Sequence, residues 1–314
     1  DPLRTADLDA MFGHLQRQRN ELDHARSLFE SALRIYEEHD VEHRAGQLAG
    51  ALGFLALDTG HLDVAAQRFE EAREIALRTL GMQNPAVGDA LVGLSTVAYR
   101  RGDPATAIQI VREAADLYIA AFGPDHPHVA GALHNLASME SAAGDDAGAR
   151  RDLEQVLALR KRLLGDDHVD VGRTLGSLAV VYDRLDQHAL AHAANDRALA
   201  IMRASYGPDD PRVADIHNSL GALAYDEGDL ARAMAEYNRA LVIRRKSQDP
   251  HHPDLGLAYY GLAEAQLDAG DPEVAHRNAE QALEIAIAAF GEGHERVTEA
   301  RTMLEKVARA RAAR

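Results

Sequence analysis

Gly81, Gly123, Gly165, Gly207, Asp249 and Gly291 stand 42 residues apart, and each opens a stretch that resembles the one before. "GPDHPHVAGALHNLA" at Gly123 returns as "GDDHVDVGRTLGSLA" at Gly165 and as "GPDDPRVADIHNSLG" at Gly207. A constant period of this size marks a solenoid, in which stacked units share a continuous core and no unit has one of its own. The 314 residues therefore read as one quasi-linear array rather than as two conventional domains.

A second punctuation mark falls 21 residues into each period, at Gly60, Gly102, Gly144, Gly228 and Gly270, with Asp186 in one repeat. Phrases such as "RRGDPATAI" and "DEGDLARAM" are stop-turn-start signals: glycine ends one helix and aspartate opens the next. At the other joint Pro85, Pro127, Pro211 and Pro253 follow Asn84, His126, Asp210 and His252. Proline suits the first helical position, which makes the preceding residue the N-cap; histidine is a weaker cap than Asn or Asp. Between the marks the apolar spacing is helical. Counted from the opening residue, position +6 holds Val87, Val129, Val171 and Val213, and +13 holds Leu94, Leu136, Leu178 and Leu220. Small residues recur at +14, +26 and +33, where two helices of a hairpin approach closely. No alternating pattern of strand length is present, so the chain is predicted to be all-α.

The "HP.VA..LHNLA" of His126–Ala137, the small +14 and +26 columns and "YNRALVIRRKSQDPHHPDLGLAYYGLA" at Tyr237–Ala263 resemble the tetratricopeptide repeat (TPR). More narrowly, they resemble its 42-residue variety in the kinesin light chain family. The resemblance implies a right-handed superhelix of seven helix pairs, over about 5–38, 41–80, 84–122, 126–164, 168–206, 210–248 and 252–290. A solvated capping helix at 294–312 would close it, since a last repeat would otherwise expose an apolar face. Asp186 and Asp249, in place of turn glycines, and Asn195, where Phe69, Leu153 and Tyr237 are large, make Gly165 to Gln248 the weakest match to the pattern.

Composition removes several function classes. The net charge of −16 (34 Lys and Arg against 50 Asp and Glu) argues against a nucleic-acid phosphate binder. With no cysteine there are no disulfides or thiolate metal sites. No apolar run has the length of a membrane span, and a bacterial cytoplasmic setting is the expectation. The chain starts at Asp1 rather than Met, as an excised piece of a longer protein would. Phosphate-loop, nucleophile-elbow, zinc-protease and kinase motifs are missing, so no enzyme and no cofactor are expected. His188, His192 and Asp196, at i, i+4 and i+8, form a possible metal stripe; chance alignment on an outer helix face is the simpler reading.

In tetratricopeptide solenoids the first helix of each pair lines a concave groove, and the resemblance assigns the +8, +11, +12, +15 and +19 columns to it. Those columns vary in chemistry while the core columns do not. They nominate Arg100, His134, Asn135, Arg173, Ser177, Arg184, Asn218 and Tyr260 as partner-binding residues. Side-chain amides suit an extended peptide because they donate and accept. Arg100, Arg173 and Arg184 raise the expectation of an acidic segment, with Arg173–Asp215 and Arg184–Asp226 ion pairs as the internal alternative. The function expected is a protein-interaction scaffold. A sensor arm of a larger signalling protein and a self-assembling rod are the other readings.

Overall fold

In a computed structural model, residues 1–19, 21–247 and 249–313 are described; they form fifteen helices and contain no strand. They divide into two compact units, Asp1–Leu163 and Leu164–Arg314. The first unit holds α1 (Pro2–Gln18), α2 (Leu22–Glu38), α3 (Glu42–Asp58), α4 (Leu62–Leu80), α5 (Pro85–Arg100), α6 (Pro104–Phe122), α7 (Pro127–Ala142) and almost all of α8 (Asp146–Leu164). The second holds α9 (Val169–Arg184), α10 (His188–Tyr206), α11 (Pro211–Asp226), α12 (Leu230–Ser247), α13 (Pro253–Asp268), α14 (Pro272–Phe290) and α15 (Glu295–Ala312). Within each unit consecutive helices pack as antiparallel hairpins, and odd-numbered helices also touch one another, as α3 does α5 and α11 does α13. Each unit is an α-solenoid.

Local chemistry sets the joints. Gly60, Gly102, Gly144, Gly228 and Gly270 take φ between 76° and 88°, and Asp186 holds the same left-handed region at φ 55°. Aspartate is among the few side chains that tolerate it. At the following helix starts the Asp103, Asp145, Asp229 and Asp271 carboxylates accept from backbone N–H groups three residues on. Where Asp249 replaces the opening glycine, the joint is built differently: its Oδ1 accepts from the His251 N–H at 2.8 Å. The expected repeat end at Gln248 lies outside the described residues.

At the proline joints Asn84, His126, Asp210 and His252 are N-caps, each side chain accepting from the N–H of the second helical residue. His168 and His294 do the same without a proline. Such an imidazole must leave Nδ1 unprotonated, and its ring can do what an amide cannot. His126 stacks on Phe122 at 4.0 Å between centroids, and His294 on Phe290 at 4.5 Å. The capping ring thus ties a helix start to the end of the preceding helix.

The core follows the small columns. Phe69 lies between α3 and α5, where a Cβ on Gly53 or Gly93 would come within 2.8 and 2.3 Å of its ring. Tyr237 closes in the same way over Gly221 and Gly261. Asn195, fully buried at the equivalent position, donates instead to Ser219 Oγ at 3.1 Å. These contacts correct one expectation. Within the +12 column, Gly93, Ser219 and Gly261 face the helix pair before them, because the large +30 side chain reaches across or, at Asn195, bonds back, whereas Ala51 and Asn135 of the same column line open space. The α15 helix buries Val297, Ala300, Met303 and Val307 against its neighbours, and Arg311 pairs with Glu273 at its end.

Candidate functional site

The first unit contains a cavity of about 640 Å³ along the faces of α3, α5 and α7. Its floor is small and apolar: Gly46, Gly50, Ala86, Ala90, Gly131 and Ala132. Phe54, Tyr118 and Val92 wall it, and Gln47, Asp89, Asn135 and the rings of His14, His43 and His128 supply polarity. Asp89 is the one carboxylate in this lining, which contains no Lys or Arg. The Tyr118 hydroxyl donates to Asp89 Oδ1 at 2.6 Å, and His128 Nδ1 stands 3.6 Å from the same oxygen. Burial and the adjacent carboxylate both push the Tyr118 phenol upward, so it stays a neutral donor to Asp89. Burial lowers the His14 imidazole, with help from Arg17.

The second unit repeats this geometry with other chemistry. Asp215 occupies the place of Asp89, and Arg244, 29 residues on as Tyr118 is from Asp89, replaces the tyrosine. Arg244 is 2% exposed and bridges Asp215 and Asp254. A further chain runs from the exposed Arg203 to the buried His217 and Glu236: Arg203 donates to His217 Nε2 at 3.0 Å, and Nδ1–H donates to Glu236 at 2.6 Å. Desolvation is the largest influence on His217 and lowers its pKa, with Glu236 opposing it. A cavity of about 340 Å³ lies against α13 and α15, lined by Leu257, Tyr260, Phe290, Arg296 and Glu299 among others.

The nominated residues fall into three groups. Asn135 and Tyr260 line cavities. His134, Ser177 and Asn218 are half-buried; Arg160 approaches His134 Nδ1 at 3.5 Å, and Asn218 Oδ1 is buried without a hydrogen bond. Arg100, Arg173 and Arg184 are exposed but engaged within the protein. Arg100 donates to the Leu57 carbonyl at 2.6 Å, over the end of α3, and Arg173 pairs with Asp170 one turn back on its own helix. The expected Arg173–Asp215 pair is therefore replaced: each finds a nearer partner, Asp170 and Arg244. His188 contacts Asp183 and His192 contacts Glu227, so the stripe with Asp196 is split between a carboxylate on α9 and one just past α11. Among the described residues no three His, Cys, Asp or Glu converge as for a metal, and no helix is long and apolar enough to cross a membrane. Column reasoning passed over Asp89, Gly50 and Gly131. The signal that could have found Asp89 is the 29-residue Asp–Tyr spacing it shares with Asp7 and Tyr36.

Comparison with known proteins agrees with this architecture. The tetratricopeptide repeat family model matches residues 44–120, 86–162, 128–204 and 212–288. No curated protein matches the sequence significantly. The crystal structure of BtubC (BKLC) from P. vanneervenii is 26% identical, with a TM-score of 0.57 over 74% of this chain and 92% of that one. A putative kinesin light chain of nearly identical TPR-like repeats from Podosopora anserina is 20% identical, TM-score 0.52, covering 67% of this chain and all of its own. The signal transduction ATPase (STAND) protein with a tetratricopeptide repeat sensor from Pyrococcus horikoshii is 14% identical, TM-score 0.60, over 87% of this chain and 40% of that one. Fifteen helices in hairpins among the described residues, left-handed turn residues at a fixed period and four family-model matches spanning most of the chain together place it in the tetratricopeptide repeat family.

Proposed function

We propose that this protein is a non-enzymatic interaction scaffold that holds an extended segment of a partner protein against the first helices of its hairpins. The observation that carries this reading is the first unit's cavity: long, mostly apolar, and edged by amide, imidazole and carboxylate groups that fix orientation. Asn135 there, and Asn218 and Tyr260 in the second unit, are the proposed contacts. An acidic segment receives less support, because Arg100 and Arg173 already serve Leu57 and Asp170.

The test is site-specific photo-crosslinking in cell extract. A photoreactive side chain at Asn135 or Tyr260 should capture a defined partner peptide, and one at the exposed Val64, Leu190 or Val242 should not. Capture only from those other positions would refute the reading. A second reading, a sensor arm, draws on the likeness to the STAND protein's tetratricopeptide sensor. An ATPase domain encoded in the same open reading frame would favour it.

A further inference from the structure

Two helical glycines in the first unit have no internal reason to be glycine. Most others do: a Cβ on Gly46 would meet Ile75, on Gly88 Tyr118, and on Gly53 or Gly93 Phe69, all under 3.0 Å. A Cβ on Gly131 would meet nothing within 4 Å, and one on Gly50 only the Ala72 methyl at 3.9 Å. Both line the cavity, and neither has the positive φ that would demand glycine. Glycine is a poor helix former, so an alanine would suit the free protein better at either place. What the two glycines keep open is close access to the backbone of α3 and α7.

The charge beside that opening is unanswered. Asp89 is half-exposed and receives a neutral hydroxyl, where Asp215 receives a buried arginine. Among the described residues no lysine or arginine lines the cavity; Arg17, which sits over the lining residue Phe54 at 5.3 Å, is bound to Asp58 by two hydrogen bonds of 2.6 and 3.4 Å. His128 is the other titratable group facing Asp89.

We infer that the first unit's groove takes a segment in which a bulky apolar side chain is followed closely by a lysine or arginine. The apolar group lies over Gly131 and Gly50 between Phe54 and Tyr118, and the cation meets Asp89. The inference rests on the groove being a partner site, and it names the chemistry of that partner.

The experiment uses the full chain and nonapeptides of alanine and glycine carrying one Phe or Leu and, two or three residues away, Lys, Gln or Glu. Binding is read by fluorescence polarisation. Lys peptides should bind roughly tenfold more tightly than Glu peptides, since attraction and repulsion at a half-exposed site each contribute a few-fold. Asp89→Asn should erase that ratio. Gly131→Gln, and independently Gly50→Gln, should abolish binding while leaving the melting temperature unchanged or higher. Equal binding of Lys and Glu peptides, still blocked by Gly131→Gln, would overturn the inference and keep the groove. If no peptide binds, or binding survives both glycine replacements, the inference fails. Absence of crosslinks from Asn135 would then remove the groove as well.

Discussion

Asp89 and Asp215 hold one position in two repeats, yet they live in different worlds. The first accepts a phenol and stands over an open, glycine-floored cavity; the second is clamped by a buried guanidinium that also grips Asp254. The contrast extends around them. Among the described residues the second unit buries Thr174, Asn195, His217, Glu236 and Arg244, and it satisfies them largely with one another or with nearby acids. A repeat lattice therefore offers two uses for one coordinate. A charge can be consumed internally, which specifies packing, or left facing outward, which specifies a partner.

The largest expected effect tests whether the units share one kind of core. Leu136→Ala in the first and Leu178→Ala in the second remove buried leucines of the same column, and each should cost about 2–5 kcal/mol by denaturant unfolding. A cost near zero at either would mean that the unit owes its packing to something other than the shared column. Next comes the pair under comparison. Arg244→Met should cost about 1–3 kcal/mol, because two charge-assisted bonds go while the freed carboxylates can reach water. Tyr118→Phe should cost no more than about 1 kcal/mol, one hydrogen bond to an already solvated acid. Equal costs would erase the distinction between the two aspartates.

Acid sharpens it further. His217 is held neutral, with its folded pKa below the ordinary value, so below about pH 6.5 the unfolded chain takes up a proton that the fold refuses. Stability from this residue is full above that pH and is lost as pH falls toward the folded pKa. Glu140 in the first unit runs the other way. Burial raises its pKa against the pull of Arg112, so stability is lost as pH rises through the window above the ordinary glutamate value. His217→Gln should flatten the limb below about pH 6.5, and Glu140→Gln should remove the fall just above the ordinary glutamate value; unfolding measured across the pH range reads both. The smallest effect is a gain: Gly131→Ala should stabilise by about 0.5–1 kcal/mol, whereas Gly93→Ala should destabilise because Phe69 must move. Two losses would show that Gly131 is packed after all.

How much of this was readable in advance divides by range. Caps and turns depend on a few adjacent residues, so Asn84, His126, Asp210, His252 and the turn at Asp186 were legible from spelling alone. The core columns were legible because a period repeats the same contact until it stands out. Ion pairing was not. Arg173 pairs with Asp170 on its own helix rather than with Asp215 one repeat on, and Arg244 was hidden among the basic residues at the end of α12. The inward turn of Gly93 and Gly261 depended on how far Phe69 and Tyr237 extend across a helix gap, which the size of neither residue alone reveals. The cavity was partly visible, through Asn135 and Tyr260, and its key aspartate and glycines were in the right columns without being chosen.

The ring of Phe69 between Gly53 and Gly93, and that of Tyr237 between Gly221 and Gly261, means that repeats of equal length are not interchangeable parts. Excising residues 81–122 would preserve the period perfectly and yet present Phe69 with Asn135 where it now meets Gly93. Excising 207–248 would present Asn195 with Gly261, leaving a void and an amide stripped of Ser219. Each repeat thus carries the complement of its successor, and the order of the array is written in side-chain volume.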